Sequence, residues 1–311
     1  MVQIQQASEG AMDHAIGRRR RIGILILAAA AALFIPITDG GFSRASGASA
    51  KARPEPHCDR TQFRIVVDVG HSLEAPGATS ARGISEYEYN LRLATQIEQA
   101  LLDIGFGQTT LLVTDGPALP GLFKRVNQAR ALDAQLFLSI HHDSVPESFL
   151  KLWDVDGVER HFSDAFKGHS IFVSNDSPEY QGSLRFGRML GTHMKARGLQ
   201  YTPHYTEAIM GKRRRQLVDA EAGVYRYDQL IVLRHARMPA VLLEAGSIIN
   251  RDEELESGSS ERRASITAAV TSAVEEFCAY TPKMVAKPAP QMRVPKPRGV
   301  RQASARSQSH R

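Results

Sequence analysis

Three apolar runs in this chain end in residues that a protein core has no packing reason to hold. Phe63 to Asp68 leads into Val69, Gly70 and His71; Ala134 to Ile140 leads into His141, His142 and Asp143; Ala240 to Leu243 leads into Glu244, Ala245 and Gly246. Glu86 follows the first run at the start of a helical pattern. Two imidazoles and one carboxylate are the protein ligands of a catalytic zinc arrangement that keeps a fourth position open. A further carboxylate beside that position can take a proton from water and return it to a leaving amine. His71, Glu86, His141 and Glu244 therefore form a hydrolytic set if the chain brings them together. Singly, each has a blander explanation: a histidine at a strand end is commonly satisfied by backbone hydrogen bonds, and a glutamate at a helix start favours the dipole.

The elements that must position these residues alternate in type. Residues 63–68 are a β-branched run that stops at Gly70, which reads as a strand. From Glu88 to Ile104, Leu91, Ala94, Ile97, Leu101 and Leu102 recur at helical spacing, and Gly105 ends the pattern. A strand over 109–113, a helix over 119–132 and a strongly apolar strand over 134–140 follow. After a polar, partly aromatic segment at 145–167 come a strand at 169–173 and a helix at 183–197. The run continues with a short strand at 230–233, a buried strand at 240–244 and a closing helix at 261–280. Strand alternating with helix is the pattern of an α/β sheet with helices on both faces. In such a sheet, ligands sit in the crevice beyond the carboxyl ends of parallel strands, where all three polar groups fall.

The motifs resemble those of the zinc-dependent N-acetylmuramoyl-L-alanine amidases. Asp68-Val69-Gly70-His71 is similar to that family's Asp-Pro-Gly-His, and Gly83-Ile84-Ser85-Glu86 with Asn90-Leu91 to its G-x-x-E-x-x-x-N-L segment. Ser139-Ile140-His141-His142-Asp143-Ser144 resembles the S-I-H-A-N-A strand end. Pro239 to Gly246, with Asn250 beyond, resembles the motif that carries the catalytic glutamate. Order and spacing agree over about residues 63–278. The resemblance implies a single-domain, mixed and mostly parallel sheet of about six strands flanked by helices. It implies Zn2+ held by His71, Glu86 and His141, with Glu244 as general base and acid. The implied reaction is hydrolysis of the amide between N-acetylmuramic acid and L-alanine in peptidoglycan, which releases stem peptides during wall remodelling or daughter-cell separation. Asp143, Asn250 and Arg234 are the candidate substrate contacts. There are three departures: Ser72 replaces a glycine and Ser247 a frequent aromatic, which bear on substrate contacts, and Asp143 replaces an asparagine, which would let it hydrogen-bond a ligand imidazole. His142 is expected to point away from His141, by the two-residue alternation of a strand.

Composition bounds the rest. The net charge of +6 belongs to the ends: residues 1–51 contribute +3 and residues 282–311 contribute +8, leaving the middle at −5. That distribution, without interleaved aromatics, argues against a nucleic-acid partner. Four arginines at 18–21 precede an uncharged run from Ile22 to Ile37, and Ala48-Ser49-Ala50 offers a cleavage site. Residues 1–50 therefore read as a signal peptide, cleaved or kept as an anchor, with twin-arginine export as one route. The expected location is the periplasm or cell envelope, with membrane contact only through an uncleaved N-terminal segment. Residues 51–57 read as a linker, 58–281 as the catalytic domain, and 282–311 as a basic, Pro-rich disordered tail. Cys58 and Cys278 either staple the ends of the domain or stand as two thiols. The segments 145–167 and 202–229 either line the groove for glycan and peptide, cover the site until a protein activator opens it, or are surface ornament. Two rival readings stand beside the amidase: a zinc peptidase of the stem peptide, and a homologue that binds wall without cutting it. No G-x-S-x-G element supports a serine hydrolase.

Overall fold

The structure, a computed structural model, describes residues 58–280. The segments read as export signal, linker and basic tail lie outside the described residues. The first strand, β1 (Ile65–Val69), is wholly buried, as its β-branched sequence requires. Helix α1 (Glu86–Asp103) follows, its first turn capped by Ser85, whose Oγ accepts from the Glu88 amide. Strand β2 (Thr109–Leu112), helix α2 (Ala118–Ala131) and strand β3 (Leu136–Asp143) complete the first half.

The second half holds a hairpin, β4 (Lys151–Val155) and β5 (Val158–Phe162), then β6 (Ser170–Val173) and α3 (Tyr180–Ala196). Strands β7 (Gln216–Asp219) and β8 (Val224–Arg226) and the one-turn helix α4 (Ile231–Arg234) precede β9 (Ala240–Ser247). Helices α5 (Arg251–Gly258) and α6 (Ser260–Tyr280) close the domain.

Seven strands form one sheet in the order β2-β1-β3-β9-β6-β8-β7. Four of its pairings are parallel, and β6 with β9 and β7 with β8 are antiparallel. Strand alternation divides the core in two. Ile65, Val67, Leu136, Leu138, Val241 and Leu243 pack with α1, α3 and α6, while Val66, Phe137, Ala240 and Leu242 pack with α2 and α4. Helices thus cover both faces, as the alternating pattern requires. Among the described residues, no helix is long and apolar enough to cross a membrane.

Two expectations are corrected. Residues 230–233 are not a strand: 231–234 form α4, which buries Val232 and Leu233 in the α2 side of the core, and β8 and β7 extend the sheet instead. A four-residue apolar run fits either element by pattern alone. The segment 145–167 is not irregular throughout, since β4 and β5 pair antiparallel across Asp156-Gly157. Both turn residues have positive φ, 53° and 80°, the geometry that an Asp-Gly hairpin turn supplies. The cysteine question is also resolved, because Cys58 and Cys278 form a disulfide.

Candidate active site

The parallel register of β1, β3 and β9 sets the site. Asp68 lies beside Ser139, and His141 lies directly opposite Glu244. The chain leaves β1 through Gly70, whose amide donates to the Ile140 carbonyl at 2.9 Å. A Cβ on Gly70 would stand 2.5 Å from the His141 ring, so only glycine lets the two ligand strands approach this closely. His71 then adopts φ 69°, a left-handed conformation unusual for a side chain of its size.

A buried network beneath it holds that conformation. Arg125, from α2, donates to both oxygens of Asp68 at 3.1 Å and to the carbonyls of Val69 and His71. Ser139 Oγ donates to Asp68 at 2.6 Å. Burial raises the Asp68 carboxyl above its ordinary value, and the Arg125 guanidinium and the Ser139 hydroxyl oppose that rise. Arg125 was not among the residues expected from sequence. Its signal is a charged side chain on the helix face that also carries Val126 and Ala129, and its partner Asp68 lies far away in the chain.

Glu86 opens α1 and is buried between the two histidines. Its Oε2 lies 2.9 Å from His71 Nε2 and its Oε1 2.9 Å from His141 Nδ1. Asn90, one turn on, donates to Glu86 Oε1 at 3.2 Å and to the Gly70 carbonyl. Burial would raise the Glu86 carboxyl, but the hydrogen bonds to His141 and His71 outweigh it and hold it well below the usual carboxylate range. His142 turns to Asn90 instead, with its Nδ1 2.8 Å from Asn90 Oδ1, and burial pushes its imidazole down to about 3. It is thus kept neutral on the far side of the strand from His141.

Glu244 faces the same space from β9. Its Oε2 is buried with no hydrogen-bond partner among the described residues. Burial, then the neighbouring charges of Asp143 and Glu86, push its carboxyl well above its ordinary value. Asp143 is buried beside it, accepting from Tyr205 Oη at 2.7 Å and from the Ser144 amide at 2.8 Å. Burial pushes Asp143 up to about 7 against the pull of the Tyr205 bond. A cavity of about 130 Å³ opens here, lined by Asp143, Tyr205, Arg213, Arg215, Tyr227 and Glu244 among others.

The other two candidate contacts stand elsewhere. Asn250 is buried as the N-cap of α5, its Oδ1 accepting from the amides of Asp252 and Glu253 and its Nδ2 donating to the Asp164 carbonyl. Arg234 is exposed and lines a separate cleft with Phe123, Arg130 and Arg237. Arg213 and Arg215, rather than Arg234, border the Glu244 cavity.

The donor set fits a divalent cation. One ligand atom from each of His71, Glu86 and His141 lies within 4.8 Å of the others, and an unpartnered carboxylate oxygen stands close by on Glu244. Three carboxyls with His71 and His141 in one buried site are an arrangement that positive charge stabilises.

Comparison with known proteins agrees with this geometry. A family described as N-acetylmuramoyl-L-alanine amidase matches residues 65–276. No curated protein sequence matches the chain. Among solved structures, the N-acetylmuramoyl-L-alanine amidase of Clostridium difficile 630 superimposes with a TM-score of 0.54 at 15% identity, covering 71% of this chain and 100% of its own. Ami1 of Mycobacterium smegmatis gives 0.53 at 17%, covering 70% and 97%. The catalytic domain of CwlV from Bacillus (Paenibacillus) polymyxa var. colistinus gives 0.50 at 24%, covering 69% and 97%. At these identities the structural likeness shows the shared α/β fold, while the family match spans most of the described residues. The chain belongs to the N-acetylmuramoyl-L-alanine amidase family, and it is an enzyme that hydrolyses that amide in peptidoglycan.

Proposed function

We propose that the reaction uses a zinc ion held by His71, Glu86 and His141, with Glu244 as the proton carrier. The observation that carries this reading is the register pair His141–Glu244, which sets an unpartnered carboxylate beside the only three-ligand cluster among the described residues. A zinc ion so held would act as a Lewis acid, polarising the scissile carbonyl and easing loss of a proton from water. Glu244 accepts the proton as the water oxygen bonds to the carbonyl carbon. It then delivers that proton to the alanine nitrogen as the C–N bond breaks, leaving a muramoyl carboxylate and a peptide with a free amino terminus. The burial that raises Glu244 also gives it the basicity for this exchange. Asp143, fixed by Tyr205, would order the substrate or the Glu244 carboxyl from the adjacent position.

Digestion of purified sacculi tests this directly. Mass analysis should find stem peptides that begin with an unblocked alanine. Glu244→Gln should reduce their release by about 10²- to 10⁴-fold, the usual worth of a general base, while metal content is unchanged. Release undiminished in that variant would end the assignment.

We further propose that the enzyme is exported through residues 1–50 and works in the periplasm or envelope. The disulfide supports this, since such bonds persist in oxidising compartments. We also propose that a protein activator acts on the β4–β5 hairpin. Arg82 and Arg251 pin that hairpin through the Trp153 ring, and Trp153 Nε1 donates to the Ala81 carbonyl.

A further inference from the structure

The basic run at 212–215 does more than decorate the surface. It follows Gly211, whose φ of 51° turns the chain, and it borders a cleft of about 540 Å³ with Arg226 and Tyr227. Arg215 and Tyr227 line both this cleft and the cavity that holds Glu244, so the two spaces adjoin. Arg215 stacks over the Tyr227 ring at 3.7 Å and donates to the carbonyls of Lys212 and Arg214. Arg226 is neutralised by Asp228 at 2.6 Å. Among the described residues, none of Lys212, Arg213, Arg214 and Arg215 has a carboxylate within ion-pair distance. Such a cluster repels itself, and a bound anion would relieve it.

Substrate chemistry decides which anion. The amide that this family cleaves joins a glycan to a peptide. The N-acetylated sugars are uncharged, and the only carboxyl of the muramic acid is tied up in the scissile bond. Negative charge therefore lies on the peptide side, in the acidic residues and the C-terminus. We propose that the cleft receives the carboxylates of the stem peptide, and that Lys212 and Arg214 select peptides whose carboxylates are free over those masked as carboxamides. The inference rests on Glu244 marking the reacting centre. Guanidinium and ammonium groups form charge-assisted hydrogen bonds with carboxylates but gain little from neutral amides.

The test uses the full chain and two glycan–peptide fragments of one sequence, with free carboxylates in one and carboxamides in the other. The wild-type enzyme should favour the carboxylate fragment in kcat/KM by about tenfold or more, the usual worth of one such bond. Lys212→Gln with Arg214→Gln should bring that ratio near one through KM, and Arg214→Glu should reverse it. Both positions are exposed, so thermal midpoints should not move. Raising salt to ~0.5 M should flatten the wild-type ratio and leave that of the double variant alone. Equal cleavage of both fragments by the wild type, or an unchanged ratio in the double variant, overturns the inference alone. Cleavage of both fragments by Glu244→Gln at the wild-type rate overturns the placement of the reacting centre as well. If stripping anionic polymer from sacculi weakens binding while the fragments show no preference, the cleft serves phosphate-bearing polymers and the peptide reading fails.

Discussion

Arg125 shows how one residue can control a site it does not enter. Its guanidinium joins Asp68 to the carbonyls on either side of Gly70, and so fixes the backbone from which His71 projects. Removing it leaves the Asp68 carboxylate buried without its cation, at a cost of about 3–5 kcal/mol. Arg125→Met should therefore lower the thermal midpoint and weaken zinc binding about 10- to 100-fold, as losses behind a metal ligand commonly do. Adding Asp68→Asn should restore much of the stability but not the metal affinity, because the two carbonyls still lack their donor. Calorimetry with metal titration reads both, and equal recovery of both would contradict the clamp. His71, Glu86, His141 and Glu244 were legible in the sequence because each is a polar residue where an apolar run stops or a helix begins. Arg125 was not, since a buried arginine on a short amphipathic helix looks like a solvated one until its partner strand is known.

At the level of elements, α5 is the piece the sequence concealed. Five of its eight residues are charged, yet Glu253 is buried and accepts from the amides of Gly168 and Ser247, tying α5 to the end of β9. Asn250 caps this helix. Asn250→Ala should cost about 1 kcal/mol of stability and leave KM for glycan–peptide fragments unchanged. A rise in KM without a loss of stability would restore it as a substrate contact. The β4–β5 hairpin makes a second case. Replacing residues 150–163 with a short glycine linker should change the rate on intact sacculi, upward if the hairpin restrains entry and downward if it guides the glycan. An unchanged rate would leave it a surface ornament. The central strands were readable from their β-branched, fully buried runs. The one-turn α4, the edge strand β7 and its neighbour β8 were not, because three or four residues carry no period that separates helix from strand.

Across the whole molecule, the disulfide joins residues 220 positions apart, one before β1 and one near the end of α6. Opening so long a loop should cost about 5 kcal/mol in a chain-entropy account. Replacing Cys58 and Cys278 with alanine should therefore lower the denaturation midpoint while the digestion products stay the same. The layered α/β plan was legible because alternation of element types constrains topology strongly. The antiparallel pairing of β6 with β9 was not, since direction within a sheet depends on connections that the pattern does not encode. What the plan accomplishes is the meeting of three distant segments at one point, and metal content tests that most directly. Purified protein should hold one zinc per chain, Glu244→Gln should keep it, and His71→Ala and His141→Ala should each lose it. Zinc retained at full stoichiometry in both histidine variants would contradict the account.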